Sequence, residues 1–232
     1  MRILIVGAST GLGRALVRAL SADGHEVTGV SRTRPPSFGD HWIEADFTRP
    51  ATAAQRVADA SAVPYDVIVW NLGVWEPTAF SPDYRFDAQP DDLTEDLIAA
   101  NLTGLVLALR RLVPDLVRTA APRIILTGST SGLPRSGRPE VAFGATKAAL
   151  NGVADALREH YRAERLSVTT LQLGDLNTED DLDVPRAAAA ARGDGALIPL
   201  HDVVDIVRTI LGLSGASFVR EIVMPAILDE RF

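Results

Sequence analysis

The 232-residue chain contains no cysteine, which excludes disulfides, thiolate metal sites and thiol nucleophiles. Its four histidines, His25, His41, His160 and His201, show no i,i+4 or other ligand spacing, so the residues argue against a metal centre. There is no basic excess either. Lys and Arg total 23 against 30 Asp and Glu, a net charge of −7 that argues against a nucleic-acid or anionic-membrane partner. No apolar run approaches the ~20 residues needed to span a bilayer. Met1-Arg2 leads directly into the apolar "ILIV", leaving no room for a signal or transit peptide, and the expectation is a cytoplasmic protein. Tyrosine is scarce as well, with only Tyr65, Tyr84 and Tyr161.

What is abundant is apolar: 47% of the chain, enough for one domain with a sizeable core. Short β-branched runs alternate with longer Ala- and Leu-rich stretches. The pattern predicts strands at 2–7, 25–30, 41–45, 65–70, 123–128, 167–173 and 218–224, and helices near 12–21, 51–60, 92–112, 143–162 and 201–212. "VIVW" and "IILT" are continuous rather than alternating, as in strands buried on both faces. The expectation is a single α/β domain over 1–232: a doubly wound parallel sheet of about seven strands with helices on both faces. Two connections, 74–91 and 174–199, are long for a compact domain, and the second reads as a lid carrying a short mobile helix, "RAAAAAR".

After the first strand comes "GASTGLG", in which Gly7, Gly11 and Gly13 lead into a helix. Glycine lets a backbone turn tightly and approach a pyrophosphate, whose charge then sits at the helix N-terminus. The G-x-x-x-G-x-G spacing differs from the G-x-G-x-x-G dinucleotide fingerprint. An NAD site normally places an acid about 20 residues on, for the ribose 2′-hydroxyl. Here the second strand ends "GVSRTR". A guanidinium from Arg32 can take a 2′-phosphate and Ser31 can donate to it, which favours NADP(H).

At this point the sequence resembles the short-chain dehydrogenase/reductase family in its single-domain form, over essentially the whole chain. "GASTGLG" matches the family's cofactor loop, which implies cofactor contacts from Gly7, Ser9, Thr10, Gly11, Leu12 and Gly13. "ADFT" (45–48) supplies Asp46, and beside it Phe47, near the adenine. "WNLG" (70–73) looks like the N-N-A-G element through Asn71 and Gly73. Asn101 falls where the family has a helix asparagine that positions a water and the catalytic lysine. "TGSTSG" (127–132) looks like the segment of the active-site serine, with Ser129 favoured over Thr130. "LGDLNT" (173–178) looks like the element beside the nicotinamide, placing Gly174 and Leu176 there, although Leu173 replaces its usual proline. The resemblance implies an NADP(H)-dependent oxidoreductase of a small molecule, a Rossmann-type fold and a homodimer or homotetramer paired through the helices at 92–112 and 143–162.

One departure bears on the chemistry. The family motif Y-x-x-x-K appears as F-x-x-x-K, with Lys147 retained and Phe143 at the tyrosine position. In the family, lysine binds the nicotinamide ribose and lowers the tyrosine pKa, tyrosine transfers the proton and serine holds the substrate oxygen. Phenylalanine has no proton to give. Tyr161 lies about 21 Å along the helix from Lys147, and Tyr65 begins its strand ~15–20 Å from the end where ligands bind. Tyr84, Glu140 and Asp175 remain as substitute acids, set against ordinary roles as a loop aromatic and solvated carboxylates. Three activities stay open. They are reduction of a carbonyl or conjugated enone with an atypical or engineered site; isomerisation, dehydration or cyclisation with a structural cofactor; and nucleotide sensing without catalysis.

Overall fold

A computed structural model describes residues 1–36 and 41–231. Seven strands form one sheet: β1 (Arg2–Val6), β2 (Glu26–Ser31), β3 (Trp42–Glu44), β4 (Val67–Trp70), β5 (Arg123–Thr127), β6 (Ser167–Leu173) and β9 (Glu221–Met224). Their order is β3-β2-β1-β4-β5-β6-β9 and every pairing is parallel. The order reverses between β1 and β4, the switch point where doubly wound sheets bind ligands outside their carboxyl ends.

The period-2 alternation of the strands builds two cores. Leu4, Val6, Ile68, Trp70, Ile124 and Leu126 face α2 (Pro50–Asp59), α4 (Gly104–Leu116) and α5 (Val141–His160). Ile3, Ile5, Val67, Val69 and Ile125 face α1 (Gly11–Ala22) and α7 (Leu200–Gly212). On α1, Leu12, Ala15, Leu16, Ala19 and Leu20 recur at helical spacing, and each is at most 5% exposed. Burying each large side chain of this kind stabilises the fold by ~1.5–3 kcal/mol.

α3 (Asp91–Ile98) runs into α4 through a π-bulge at Ala99–Thr103. The joined helix, Asp91–Leu116, is long and apolar enough by length and composition to cross a bilayer, longer than any unbroken apolar run in the sequence. Half of its most apolar stretch is buried, and Leu105, Leu109, Leu112 and Leu116 pack into the first core. Its hydropathy is that of a core helix.

The 174–199 segment is ordered by local pairing. β7 (Leu176–Asn177) and β8 (Ile198–Pro199) form a two-stranded parallel ribbon flanking α6 (Arg186–Gly193), where the sequence places "RAAAAAR". Buried Asn177 donates to Asp180 and to the Ala189 carbonyl, tying the ribbon to the helix. Ion pairs then hold the segment on α1: Asp181 meets Arg14 at 3.0 Å and Arg18 at 2.9 Å, and Asp183 meets Arg18 at 2.6 Å.

Candidate active site

The β1–α1 turn has two positions that only glycine can fill. Gly7 has φ +83°, and a Cβ on it would lie 2.7 Å from the Leu72 backbone; a Cβ on Gly13 would lie 1.9 Å from the Gly7 carbonyl oxygen. Asn71, just beyond β4, donates from Nδ2 to that same carbonyl at 3.1 Å and so fastens the turn to the neighbouring strand. Ser9 is half-buried, Gly11 likewise, and Thr10 is exposed at the helix N-cap without bonding any backbone N–H through its side chain. The backbone N–H groups at the start of α1 therefore face outward at the positive end of the helix, where a pyrophosphate fits. Leu12 and Phe47 contribute no side chain here. Both are buried, Phe47 edge-on to Trp70 at 5.1 Å, so only their main chains can meet a nucleotide.

The end of β2 carries Ser31 and Arg32, the residues expected near the adenosine 2′-position. Ser31 is buried; its hydroxyl donates to the Thr33 carbonyl at 2.7 Å and accepts from Trp42 Nε1 at 3.1 Å. Its single proton is thus already used within the protein. Arg32 is exposed and has no ion-pair partner among the described residues. Asp46, also exposed, caps its own turn by accepting from the Thr48 N–H and hydroxyl at 3.1 and 3.0 Å.

At the carboxyl ends of β4 and β5, the sequence-predicted polar residues meet. Lys147 is the single lysine among the 23 basic residues, a signal the pattern reading did not use. It is 6% exposed and donates from Nζ to the Thr127 carbonyl at 2.9 Å. A Cβ on Gly73 would come within 2.9 Å of that nitrogen, so the residue at 73 leaves room for the amine. Burial without a counter-charge pulls the Lys147 amine down to about 8. Arginine could not do this, because its guanidinium stays charged.

Asn101 sits in the π-bulge, where an extra residue per turn re-aims a side chain inward. It clamps Val74, accepting its N–H at 2.8 Å and donating to its carbonyl at 2.7 Å, and it also donates to Thr146 Oγ1 at 3.1 Å. Thr146 in turn donates to the Phe143 carbonyl, which couples the bulge to α5. Ser129 Oγ accepts from the Ser131 N–H at 3.1 Å, leaving its own proton uncommitted. Its backbone N–H is held by Gln172 Oε1 at 3.1 Å. Thr130 is buried in the following 3-10 turn, whereas Ser129 is half-exposed.

Phe143 is buried beneath an aromatic group. Its ring lies 5.2 Å from Phe80 and 6.4 Å from Trp75, both edge-on, and Lys147 Nζ stands 5.6 Å from its centre. The substitute acids take other places. The Tyr84 hydroxyl accepts from the Val141 N–H at 3.0 Å and donates to Glu76 Oε1 at 3.3 Å; burial is the first reason its pKa is raised. Glu140 is buried rather than solvated, accepting from the Phe80 N–H at 2.9 Å. Asp175, beside half-buried Gly174 and Leu176, is exposed and lies 3.7 Å from Arg138. None of the three has a bond to Lys147 or Ser129.

Sequence reading missed Glu76 and Gln172. Glu76 Oε1 accepts from the Ala142 and Phe143 N–H groups at 3.1 and 3.3 Å, capping α5 from the 74–91 loop. Gln172 is fully buried and bonds Asn151 and Glu221 besides Ser129. The signal for Gln172 was a polar residue within the apolar strand "TLQL"; Glu76 had none, because capping from a distant loop is a tertiary event. Among the described residues no group of three or more His, Asp or Glu side chains could hold a metal.

A glycine turn at the switch point, with a buried lysine, a buried asparagine and a half-exposed serine beside it, agrees with the comparisons. The short chain dehydrogenase family pattern matches residues 1–186. The chain belongs to that family. This short-chain dehydrogenase is 28% identical over 233 residues to the 3-oxoacyl-[acyl-carrier-protein] reductase MabA of Mycobacterium tuberculosis, covering 96% of this chain and 90% of that one. It is 30% identical over 200 residues to an NADPH-dependent pterin aldehyde reductase of Arabidopsis thaliana, covering 76% and 75%. Among solved structures it shares its fold with the Pseudomonas aeruginosa RhlG/NADP active-site complex, at a TM-score of 0.78 and 22% identity, with 100% and 96% coverage. This chain is therefore an enzyme of the short-chain dehydrogenase/reductase family.

Proposed function

We propose that the enzyme is an NADPH-dependent reductase of a carbonyl or conjugated enone in a small or medium organic substrate, with Phe143 standing where the family has its tyrosine acid. The observation that carries this reading is the meeting of Lys147, Asn101 and Ser129 at one end of the sheet, each held by a separate contact. Bound NADPH supplies a hydride. Arg32 takes its 2′-phosphate, the N-terminus of α1 its pyrophosphate, and Lys147 its nicotinamide ribose. Ser129 directs its uncommitted proton at the substrate oxygen, the atom on which negative charge develops during reduction. Phe143 walls the site and keeps water from its face. The proton comes from water or a substitute acid, since Phe143 has none to give. The same reading makes 1–232 a single domain, with 174–199 its lid, and pairs copies through α4 and α5, where Val106 and Val141 are exposed.

The test follows NADPH absorbance with a panel of ketones and enones while product is measured separately. Equal consumption of NADPH and substrate supports the reductase. The missing hydroxyl at Phe143 favours one second reading, non-redox isomerisation, dehydration or cyclisation over a structural cofactor. Product without NADPH consumption would establish that reading instead.

A further inference from the structure

Opposite the cofactor end, a cavity of about 590 Å³ opens between the amino ends of β5 and β6, the C-terminal half of α5 and the 214–220 segment. Five arginines line it: Arg123, Arg158, Arg162, Arg165 and Arg220. Its only lining acids are Asp155 and Glu159, so the wall carries +3 (five minus two) on a chain whose net charge is −7. The local charge thus has the opposite sign to that of the whole molecule.

Three of these arginines have carboxylate partners. Arg158 and Arg220 share Asp155, at 2.5 and 2.9 Å, and Arg162 pairs with Glu159. Arg123 and Arg165 have no carboxylate partner among the described residues. Arg165 is exposed at the rim. Arg123 is 92% buried (8% exposed), which makes it the unusual one. Its Nη2 donates to the Leu213 carbonyl at the end of α7, at 2.5 Å. Its Nε and Nη1 make no hydrogen bond, yet neither is sealed from solvent, so they open into the cavity that the residue lines. Buried guanidinium groups are ordinarily paired with an anion, because desolvating the charge is unfavourable otherwise. Phe218 adds a half-exposed ring on the same wall, with the Arg158 guanidinium 5.9 Å from its centre.

We propose that this cavity is a second ligand site that binds a phosphorylated small molecule, the phosphate meeting Arg123 and Arg165 and the organic part lying against Phe218. The guanidinium fork matches phosphate oxygens, and the volume falls within the ~300–1,000 Å³ of small-molecule sites. The site is separate from the cofactor cleft, since β5 carries Arg123 at one end and leads to Ser129 at the other.

The experiment saturates the holoenzyme with NADP+ and titrates inorganic pyrophosphate, then ADP, by calorimetry. Wild type should bind both, ADP more tightly through Phe218. Arg165→Ala and Arg123→Gln should each weaken pyrophosphate binding by ~10-fold or more, the scale of one lost charge-assisted contact. Arg165 is exposed, so its variant tests the site even if Arg123→Gln unfolds by uncapping α7. Absence of saturable heat in the wild type overturns the proposal, as does unchanged affinity in Arg165→Ala. A change of oligomeric state in Arg165→Ala by light scattering would assign these arginines to an interface between copies, and would overturn it too. Because NADP+ fills the cofactor cleft throughout, either result leaves the proposed reductase activity untouched.

Discussion

The Lys147 amine stands 5.6 Å from the centre of the Phe143 ring, a ring that carries no hydroxyl. On the proposed reading, Phe143→Tyr restores an acid one helical turn from the lysine that would tune it. Carbonyl reduction should rise by ~10²-fold or more, measured as kcat with a ketone the wild type turns over slowly. Unchanged and already rapid reduction would show that another acid serves the site. No detectable hydride transfer, with loss of a native non-redox activity, would favour the second reading.

Lys147 should confer a pH dependence whose direction follows from burial. Its folded pKa, about 8, lies below the ordinary lysine value of 10.5. Between these values the unfolded chain binds more protons than the folded one, so this group makes stability rise with pH from about 8 to about 10.5. Below pH 8 both states are protonated and the full desolvation penalty, about 3 kcal/mol, is present. The hold of Lys147 on the nicotinamide ribose should instead weaken as pH rises through about 8, because a neutral amine donates weaker hydrogen bonds than an ammonium. As the single lysine, Lys147 gives one side-chain amine resonance after reductive methylation, and its titration by NMR reads the pKa directly.

Preference for NADP(H) should rest on Arg32 alone, since the Ser31 proton goes to Thr33. Arg32→Ala should weaken NADPH binding by ~10-fold or more and leave NADH binding nearly unchanged. Ser31→Ala should affect both cofactors alike. Equal wild-type affinity for the two would contradict the assignment.

Glu76→Ala should destabilise the fold by ~1–2 kcal/mol, since it removes the cap from the first turn of α5. At ~2–4 °C per kcal/mol for a chain of this size, the loss is visible in Tm. Glu76→Gln keeps a carbonyl acceptor and should recover most of it. A Tm unchanged in Glu76→Ala would show that the Tyr84 hydroxyl caps the helix sufficiently.

The sheet was legible in the sequence because strands buried on both faces must be continuously apolar, as "VIVW" and "IILT" are. The glycine turn was legible because Gly7 and Gly13 have steric reasons visible at close spacing. What escaped was cross-chain bonding. Nothing near Ser31 announces that Trp42, eleven residues on, will bond its hydroxyl. Nothing near Glu140 predicts that the Phe80 N–H will meet it in the interior. The π-bulge was equally hidden, since nothing in "AANLTG" announces an extra residue in the turn and only packing re-aims Asn101.

The arginines of α1 hold more than a surface segment in place. On the proposed reading, Arg14 and Arg18 belong to the helix whose N-terminus would receive the pyrophosphate, while Asp181 and Asp183 follow the residues proposed to lie beside the nicotinamide. On that reading, with 174–199 as a lid, cofactor exchange would have an electrostatic clock. Whatever lifts 174–199 must first part three ion pairs, and these weaken as ions shorten the Debye length from ~10 Å at 0.1 M to ~3 Å at 1 M. Where release limits turnover, added salt should quicken the cycle even as it loosens the grip on the phosphates, so throughput should peak at an intermediate ionic strength.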